Sequence, residues 1–286
     1  FNTNTITRTG YTAKLQPSKS NYSTNSASGS DGKFYYWGSS SYGSVNKPSK
    51  VDFLPRSGNI NSLTVKKIID DERVLASDGV IYRSTFDRGL SVIQSEKSYL
   101  DPVIYASLAN VQIVDVSPHH VLDSLGRVWK SRNVVYSRIT DYSLVDLSSL
   151  GNPVITKIVG NDSTVFLLTQ DGRVISQGDN TNGLLGQGVN TAPTAFGFVT
   201  FPETVTATDL YSGFDFAYAI GSNGKVWTWG NNSDGQLAKD STLIPSTNTP
   251  ILAILPVGST PRIWGLNNNR ISFFDADGRS VYSGSY

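Results

Sequence analysis

The chain has no cysteine and no methionine among its 286 residues, only two histidines, and charge on just 16% of positions. Without a thiol, disulfide staples, thiolate metal sites and cysteine nucleophiles are all excluded. The missing methionine extends to position 1, which sets the expectation of a processed product or a fragment. It also removes an oxidisable side chain, an absence compatible with life outside a cell. No apolar run approaches the length that crosses a bilayer, and Ile251-Leu252-Ala253-Ile254-Leu255 is stopped by Pro256. No basic-then-apolar leader remains at the start, so any such segment is expected to have been removed. A formal net charge of +1 with no dense Lys/Arg block argues against a nucleic-acid groove, which needs a concentrated positive field.

With so little charge, the surface polarity must come from Ser, Thr, Asn, Gln and the backbone. Glycine (26) and proline (12) supply punctuation, while 14 Tyr, 12 Phe and many β-branched residues exclude a disordered chain. That balance describes many short strands joined by polar turns, over a length that suits one large all-β domain or two ordinary ones.

A Gly-centred turn followed by a β-rich segment recurs along the whole chain. It appears as Asp31-Gly32, Asp78-Gly79, Leu125-Gly126, Asp171-Gly172, Asn223-Gly224 and Asp277-Gly278. Between the glycines at 32, 79, 126, 172, 224 and 278 the steps are 47, 47, 46, 52 and 54 residues. Asp-Gly and Asn-Gly accept the positive φ angles of primed hairpin turns. Short apolar strands precede the turns at 74–75, 121–122, 165–168, 217–220 and 271–274, and others lie upstream at 63–69, 111–116, 154–159, 205–210 and 262–266. After the turn, Lys225-Val226-Trp227-Thr228-Trp229 alternates with period two.

Three such strands and a weaker fourth make a small sheet that cannot bury both faces alone. Radial stacking solves that problem. The expected fold is therefore all-β: a β-propeller of about six four-stranded blades, seven being possible, forming a single domain over residues 1–286. In the first unit the pre-turn segment 25–28 is polar, so its strand is expected to be short or missing. Residues 3–15, alternating at Ile6, Tyr11 and Leu15, are the expected closing strand of the last blade. An open arc continued by another chain is the alternative.

The fifth unit carries a more specific pattern. It runs from Gly213 through Phe216-Ala217-Tyr218-Ala219-Ile220 and Asn223-Gly224 to Trp227-Thr228-Trp229-Gly230, then Asn231-Asn232-Ser233-Asp234-Gly235-Gln236-Leu237. The fourth unit follows with Gly178-Asp179-Asn180-Thr181-Asn182-Gly183-Leu184-Leu185-Gly186. This resembles the repeat of the regulator of chromosome condensation family: a Gly, a His-containing strand, a Gly turn, an aromatic-Gly strand end, then Asn, Gly, Gln, Leu. Units one and six keep the turn and strand end; units two and three keep the turn and apolar strand. The resemblance implies a propeller, usually of seven blades, and activities from nucleotide exchange on a small GTPase to chromatin docking, enzyme inhibition, scaffolding and adhesion. Where the family places its strand His, this chain has Phe216 in unit five and no His near Thr164 in unit four. No position here matches the family's exchange residues.

The chemically suggestive residues have plain structural readings. His119-His120 is the only histidine pair, and neighbours in a strand point to opposite faces, so they cannot act on one ligand. Gly183-Leu184-Leu185-Gly186-Gln187-Gly188 looks like a phosphate cradle but lacks the following helix and Lys-Ser/Thr. Asp70-Asp71-Glu72 reads as a solvated acidic turn, and Asp275-Ala276-Asp277-Gly278 lacks the distal Glu of a calcium loop. Trp37, Trp129, Trp227 and Trp229 recur after the turn as packing residues. No catalytic residue, metal ligand or cofactor is expected. Loop residues Tyr42, Asn231, Asn232 and Ser233 are the candidate binding positions, suited to protein or sugar recognition.

These features point to a non-enzymatic recognition or structural propeller: a surface, secreted or virion-associated attachment module. Its expected partner is a protein or a cell-surface glycan, with assembly into a larger particle, no nucleic acid and no membrane insertion. The alternatives are an intracellular regulator of a small GTPase and, last, a hydrolase using acidic residues in an axial channel.

Overall fold

The Gly-centred turns join the second and third strands of successive antiparallel meanders. A computed structural model describes residues 14–16, 24–28, 34–40, 43–55, 65–69, 73–84, 97–135, 138–254, 259–267, 270–275 and 280–283. They fall into two units, 1–103 and 104–286.

The first unit holds β1 (Lys14–Gln16), β2 (Thr24–Ser28), β3 (Phe34–Ser40) and β4 (Gly43–Pro55), then β5 (Val65–Ile68), β6 (Arg73–Ala76), β7 (Ile81–Ser84) and β8 (Lys97–Pro102). Each set of four is an antiparallel meander. Polar β2 does form, contrary to expectation, because β1 and β3 satisfy its backbone on both sides. The two meanders are not separate sheets: β4 and β8 pair in parallel, giving one eight-stranded sheet. β4 outruns its antiparallel partner, whose register ends at Val51, and the free edge from Asp52 to Pro55 takes β8 instead. Of the expected closing strand, residues 3–13 lie outside the described residues, while Lys14 and Leu15 belong to β1 and pair with β2.

The second unit holds three four-stranded meanders and one with three described strands. They are β9 (Ile113–Ser117), β10 (His120–Asp123), β11 (Val128–Val135) and β12 (Arg138–Leu144), followed by β13 (Ile155–Gly160), β14 (Thr164–Thr169), β15 (Val174–Gly178) and β16 (Gly197–Phe198). Next come β17 (Ala207–Ser212), β18 (Phe216–Gly221), β19 (Val226–Asn231) and β20 (Ser246–Leu252), then β21 (Ser259–Asn267), β22 (Arg270–Asp275) and β23 (Ser280–Ser283).

The described turns are three-residue hairpins rather than primed two-residue ones. In each, the residue before the loop donates to and accepts from its far side: Gly221 N–H to Lys225 O at 2.9 Å, and Gly224 N–H to Gly221 O at 2.9 Å. The same pair of bonds closes the turns at Ala76, Asp123 and Thr169. Only the last loop residue then needs positive φ, and Gly79, Gly126, Gly172 and Gly224 have it at 75–82°. Hence Leu125 is tolerated where the other turns carry Asp or Asn. Side chains complete the turn from different positions: Asn223 Oδ1 accepts from Lys225 N–H, Thr169 Oγ1 from Arg173 N–H, and buried Asp123 from both Leu125 and Arg127 N–H.

Strand periodicity sets which residues pack between sheets. Val165 and Leu167 pack with Leu122, Val128, Ile155 and Ile158, whereas Phe166 and Leu168 pack with Leu210, Ala217, Ala219, Trp227 and Trp229. Trp229, fully buried, meets Phe166 edge-on at 5.9 Å and donates Nε1–H to Leu184 O at 2.9 Å. Burying such a ring contributes roughly 3 kcal/mol. The first strands are also tied at one register position, paired with the residue four before the turn glycine (Leu122, Leu168, Ile220). There Asp115 Oδ2 accepts from Ile158 N–H at 3.0 Å, and Lys157 Nζ reaches Asp209 Oδ1 at 2.5 Å while lying over the Tyr211 ring.

Candidate functional site

In the β13–β16 and β17–β20 sheets, the antiparallel registers place two kinds of connection at one end. These are the turn between first and second strands and the long loop after the third, because Thr164 pairs with Gly178 and Phe216 with Gly230. The Gly hairpins occupy the opposite end.

The loops there are templated by asparagine. Asn232, fully buried, accepts from Leu237 N–H at 2.8 Å through Oδ1 and donates Nδ2–H to Lys239 O and Ile244 O at 3.2 and 2.7 Å. Asn180 does the same one sheet earlier, accepting from Leu185 N–H and donating to Val189 O and Thr191 O. Each pins a loop whose carbonyls no strand could satisfy. Of the positions expected to bind, Asn232 is therefore closed to solvent and Tyr42 lies outside the described residues. Asn231 and Ser233 are brought together, with Asn231 Oδ1 accepting from Ser233 N–H at 3.0 Å.

Asn231 leads to residues that the sequence did not single out. Its Nδ2–H bonds Asp215 Oδ2 at 2.6 Å, and its backbone N–H bonds Asp215 O at 2.8 Å. Next to Asp215, Phe214 is 59% exposed although its carbonyl is held by Asn161 Nδ2 from the preceding sheet at 2.6 Å. Asn161 is itself fixed, Oδ1 accepting from Ser163 and Thr164 N–H at 2.8 Å. Burial raises the Asp215 carboxyl above the ordinary range, and the field of Asp234 adds to this. The available signal was positional: the equivalent turn of the previous sheet has Asp162 where this one has Phe214.

The remaining sequence candidates sit elsewhere. His119 lies in the β9–β10 turn with Nδ1 3.2 Å from Ser131 Oγ, while His120 is buried at the head of β10. Neither His120 Nε2 nor the Oγ of its ladder partner Ser117 has a hydrogen-bond partner. Gly183 to Gly188 belongs to the asparagine-templated loop; Asp70-Asp71-Glu72 and 276–278 lie outside the described residues. Trp227 and Trp229 are buried, and Trp129 donates Nε1–H to Asp123 at 3.0 Å. Among the described residues no three His, Cys, Asp or Glu side chains are grouped to hold a metal ion, and no helix is long and apolar enough to cross a membrane.

Comparison with known proteins places this geometry. Residues 207–236, which build β17 to β19 and the exposed turn, match the family described as regulator of chromosome condensation (RCC1) repeat. The mouse E3 ubiquitin-protein ligase HERC2 is 33% identical over 97 residues, covering 31% of this chain and 2% of the ligase. The human protein is 32% identical over the same length and coverage. The match thus spans about 2% of those relatives. Among solved structures, human WBSCR16 is similar with a TM-score of 0.65 and 13% identity, over 97% of this chain and 77% of that one. Prp20p of Saccharomyces cerevisiae, described with its binding to Gsp1p and histones, gives 0.57 at 16% identity over 92% and 67%. The fold is a β-propeller.

These findings overturn the expectation of a surface, secreted or virion-associated attachment module outside the cell. The similar proteins, a ubiquitin ligase and Prp20p, are intracellular, and neither supports a glycan partner or a larger particle. The composition misled for a physical reason. The abundant Asn, Ser and Thr are consumed by turns and loops, as Asn161, Asn180, Asn232 and Thr169 show, rather than displayed for a ligand.

Proposed function

We propose that this β-propeller, which carries a match to the regulator of chromosome condensation repeat over residues 207–236, is a non-enzymatic, intracellular protein-binding propeller that regulates a small GTPase. The supporting observation is that the matched repeat, 207–236, is the segment that presents Phe214, Asp215 and Asn231 at the loop end of its sheet. Similarity to Prp20p, which binds the GTPase Gsp1p, supports the partner class. Ligase activity is not carried over, because the match covers so little of those relatives. The test is release of a fluorescent guanine nucleotide from a panel of purified small GTPases. Saturable acceleration by the chain is the expected result. No acceleration and no capture across the panel would overturn the proposal.

A further inference from the structure

We propose that the hairpin end of the β17–β20 sheet binds a carboxylate beside Trp227, where the β9–β12 sheet carries an aspartate of its own. The site is separate from the proposed action on a GTPase, so either can fail alone. In the β9–β12 sheet, buried Asp123 stands three residues before the turn glycine Gly126. Its Oδ1 accepts from Leu125 and Arg127 N–H at 3.0 and 2.9 Å, and its Oδ2 from Trp129 Nε1–H and Arg127 Nε–H at 3.0 and 2.7 Å. The guanidinium also lies 5.5 Å over the Trp129 ring. In the β13–β16 sheet the equivalent residues are Thr169 and Ile175. There is no indole to satisfy there, and Thr169 Oγ1 takes the turn N–H of Arg173 at 2.8 Å. Acceptor and donor change together in those two sheets.

In the β17–β20 sheet they part. Trp227 holds the position of Trp129, since each pairs with the residue five before its turn glycine, Ala219 and Val121. Lys225 lies 6.0 Å over its ring, as Arg127 does over Trp129. The position of Asp123, however, is Gly221, on the same face of the sheet as Ala219 and Trp227. Trp227 is 4% exposed and its Nε1 has no hydrogen-bond partner, a costly state for a buried donor. The fold does not demand a glycine at 221: its φ is not left-handed, and the nearest atom to an added Cβ is Oδ1 of the exposed Asn223, at 2.8 Å. That Oδ1 accepts from Lys225 N–H at 3.0 Å, which is one of the two roles of the Asp123 carboxylate. The other role, at the indole, falls to no side chain. A carboxylate that displaces the Asn223 carboxamide meets the counterparts of the donors that hold Asp123: Lys225 N–H for one oxygen, the Trp227 indole and the Lys225 ammonium for the other. The ammonium favours an anion over a neutral acceptor. Its pairing with Glu203 at 2.9 Å is exposed on both sides and exchanges readily.

The readout is the Trp227 indole N–H resonance in the whole chain, labelled with nitrogen-15 tryptophan and held at neutral pH. The chain has five tryptophans, and Trp227→Phe assigns the signal. Acetate is titrated at constant ionic strength against chloride, beside short peptides that carry glutamate or glutamine. A saturable downfield shift with acetate and the glutamate peptide is expected, and none with chloride or the glutamine peptide. Gly221→Asp should show the shifted resonance before any addition and then stay unmoved. Asn223→Gly removes the competing carboxamide and Glu203→Gln the competing carboxylate, so each should tighten binding about threefold. A glutamate peptide that binds about tenfold tighter than acetate supports the site with a protein side chain as its ligand, and equal affinity supports it with a free small carboxylate. No shift with either carboxylate, an equal shift with chloride, or a Gly221→Asp variant that titrates like the wild type defeats the proposal. If Gly221→Asp melts early, Glu203→Gln on the exposed pair decides, and unchanged affinity there defeats it equally.

Discussion

Lowering the pH from 7 to 5 should destabilise this protein through one side chain, His120. It occupies the position held by Phe166 and Tyr218 in the next two sheets: each pairs with the residue four past its turn glycine, Lys130, Ser176 and Thr228. The imidazole is 6% exposed, its Nε2 has no partner, and burial, then Lys130 and His119, push its pKa from 6.5 down to about 3. A folded pKa below the unfolded one means that the unfolded state binds the proton first. Stability is thus complete above pH 6.5 and is lost as the pH falls from 6.5 towards about 3. At about 1.4 kcal/mol per pH unit, the loss between pH 7 and 5 is about 2 kcal/mol, or roughly 5 °C in melting temperature.

Among the described residues with a shifted pKa, the window isolates this one. Asp123, Asp141, Asp146, Asp171 and Asp240 have lowered pKa values, so their stabilisation fades only below the ordinary 3.8. Asp215, raised by burial, gains stability on protonation and works in the opposite sense. The assay is thermal unfolding at fixed scan rate at pH 7, 6 and 5 for the wild type, His120→Phe and His119→Gln. His120→Phe restores the ring used at this position elsewhere and should abolish the slope, whereas His119→Gln should retain it. An unchanged slope in His120→Phe would refute the reasoning.

Two further changes probe the loop end. Asn232→Ala removes three hydrogen bonds made by a fully buried side chain and should cost about 3 kcal/mol, with proteolytic cutting of residues 233–245 as the readout. Gly230→Ala should cost about 3 kcal/mol, because φ is +97° and a Cβ would stand 2.5 Å from Asp215 O and 2.8 Å from Phe216 Cα; Gly224→Ala, with positive φ but open space, should cost about 1 kcal/mol, both read by denaturant unfolding.

The repeat was legible because its physics is local. Glycine at the end of a hairpin loop and alternating apolar residues on either side read the same in sequence as in structure, and every described turn glycine falls between second and third strands. The parallel β4–β8 pairing was not legible, since it depends on how far β4 outruns β3. Nor was the juxtaposition at the loop end. Asn161 and Asn231 lie 70 residues apart in sequence, and the Asn161–Phe214 and Asn231–Asp215 bonds bring their turns together. Asn232 was misread for the converse reason: a polar residue in a loop looks exposed, but this one is the loop's internal scaffold.

The repeat offers its own standard for separating scaffold from function. Where equivalent positions agree in role, as with Asn180 and Asn232, or the cations stacked at the hairpin end, the residue is explained by the fold alone. Departures need a second explanation, because a local conflict that folding does not require is retained at some cost. His120 departs by placing an imidazole with an unpartnered nitrogen where its neighbours pack Phe166 and Tyr218, and the cost is paid in acid stability. Phe214 departs in the other direction, replacing the polar Asp162 of the previous turn with an exposed ring. Of these two, the second lies on open surface, with its backbone fixed on both sides. A departure that exposes apolar area on a rigid support gains nothing for the isolated chain, and the proposed protein-binding role supplies the second explanation that Phe214 needs.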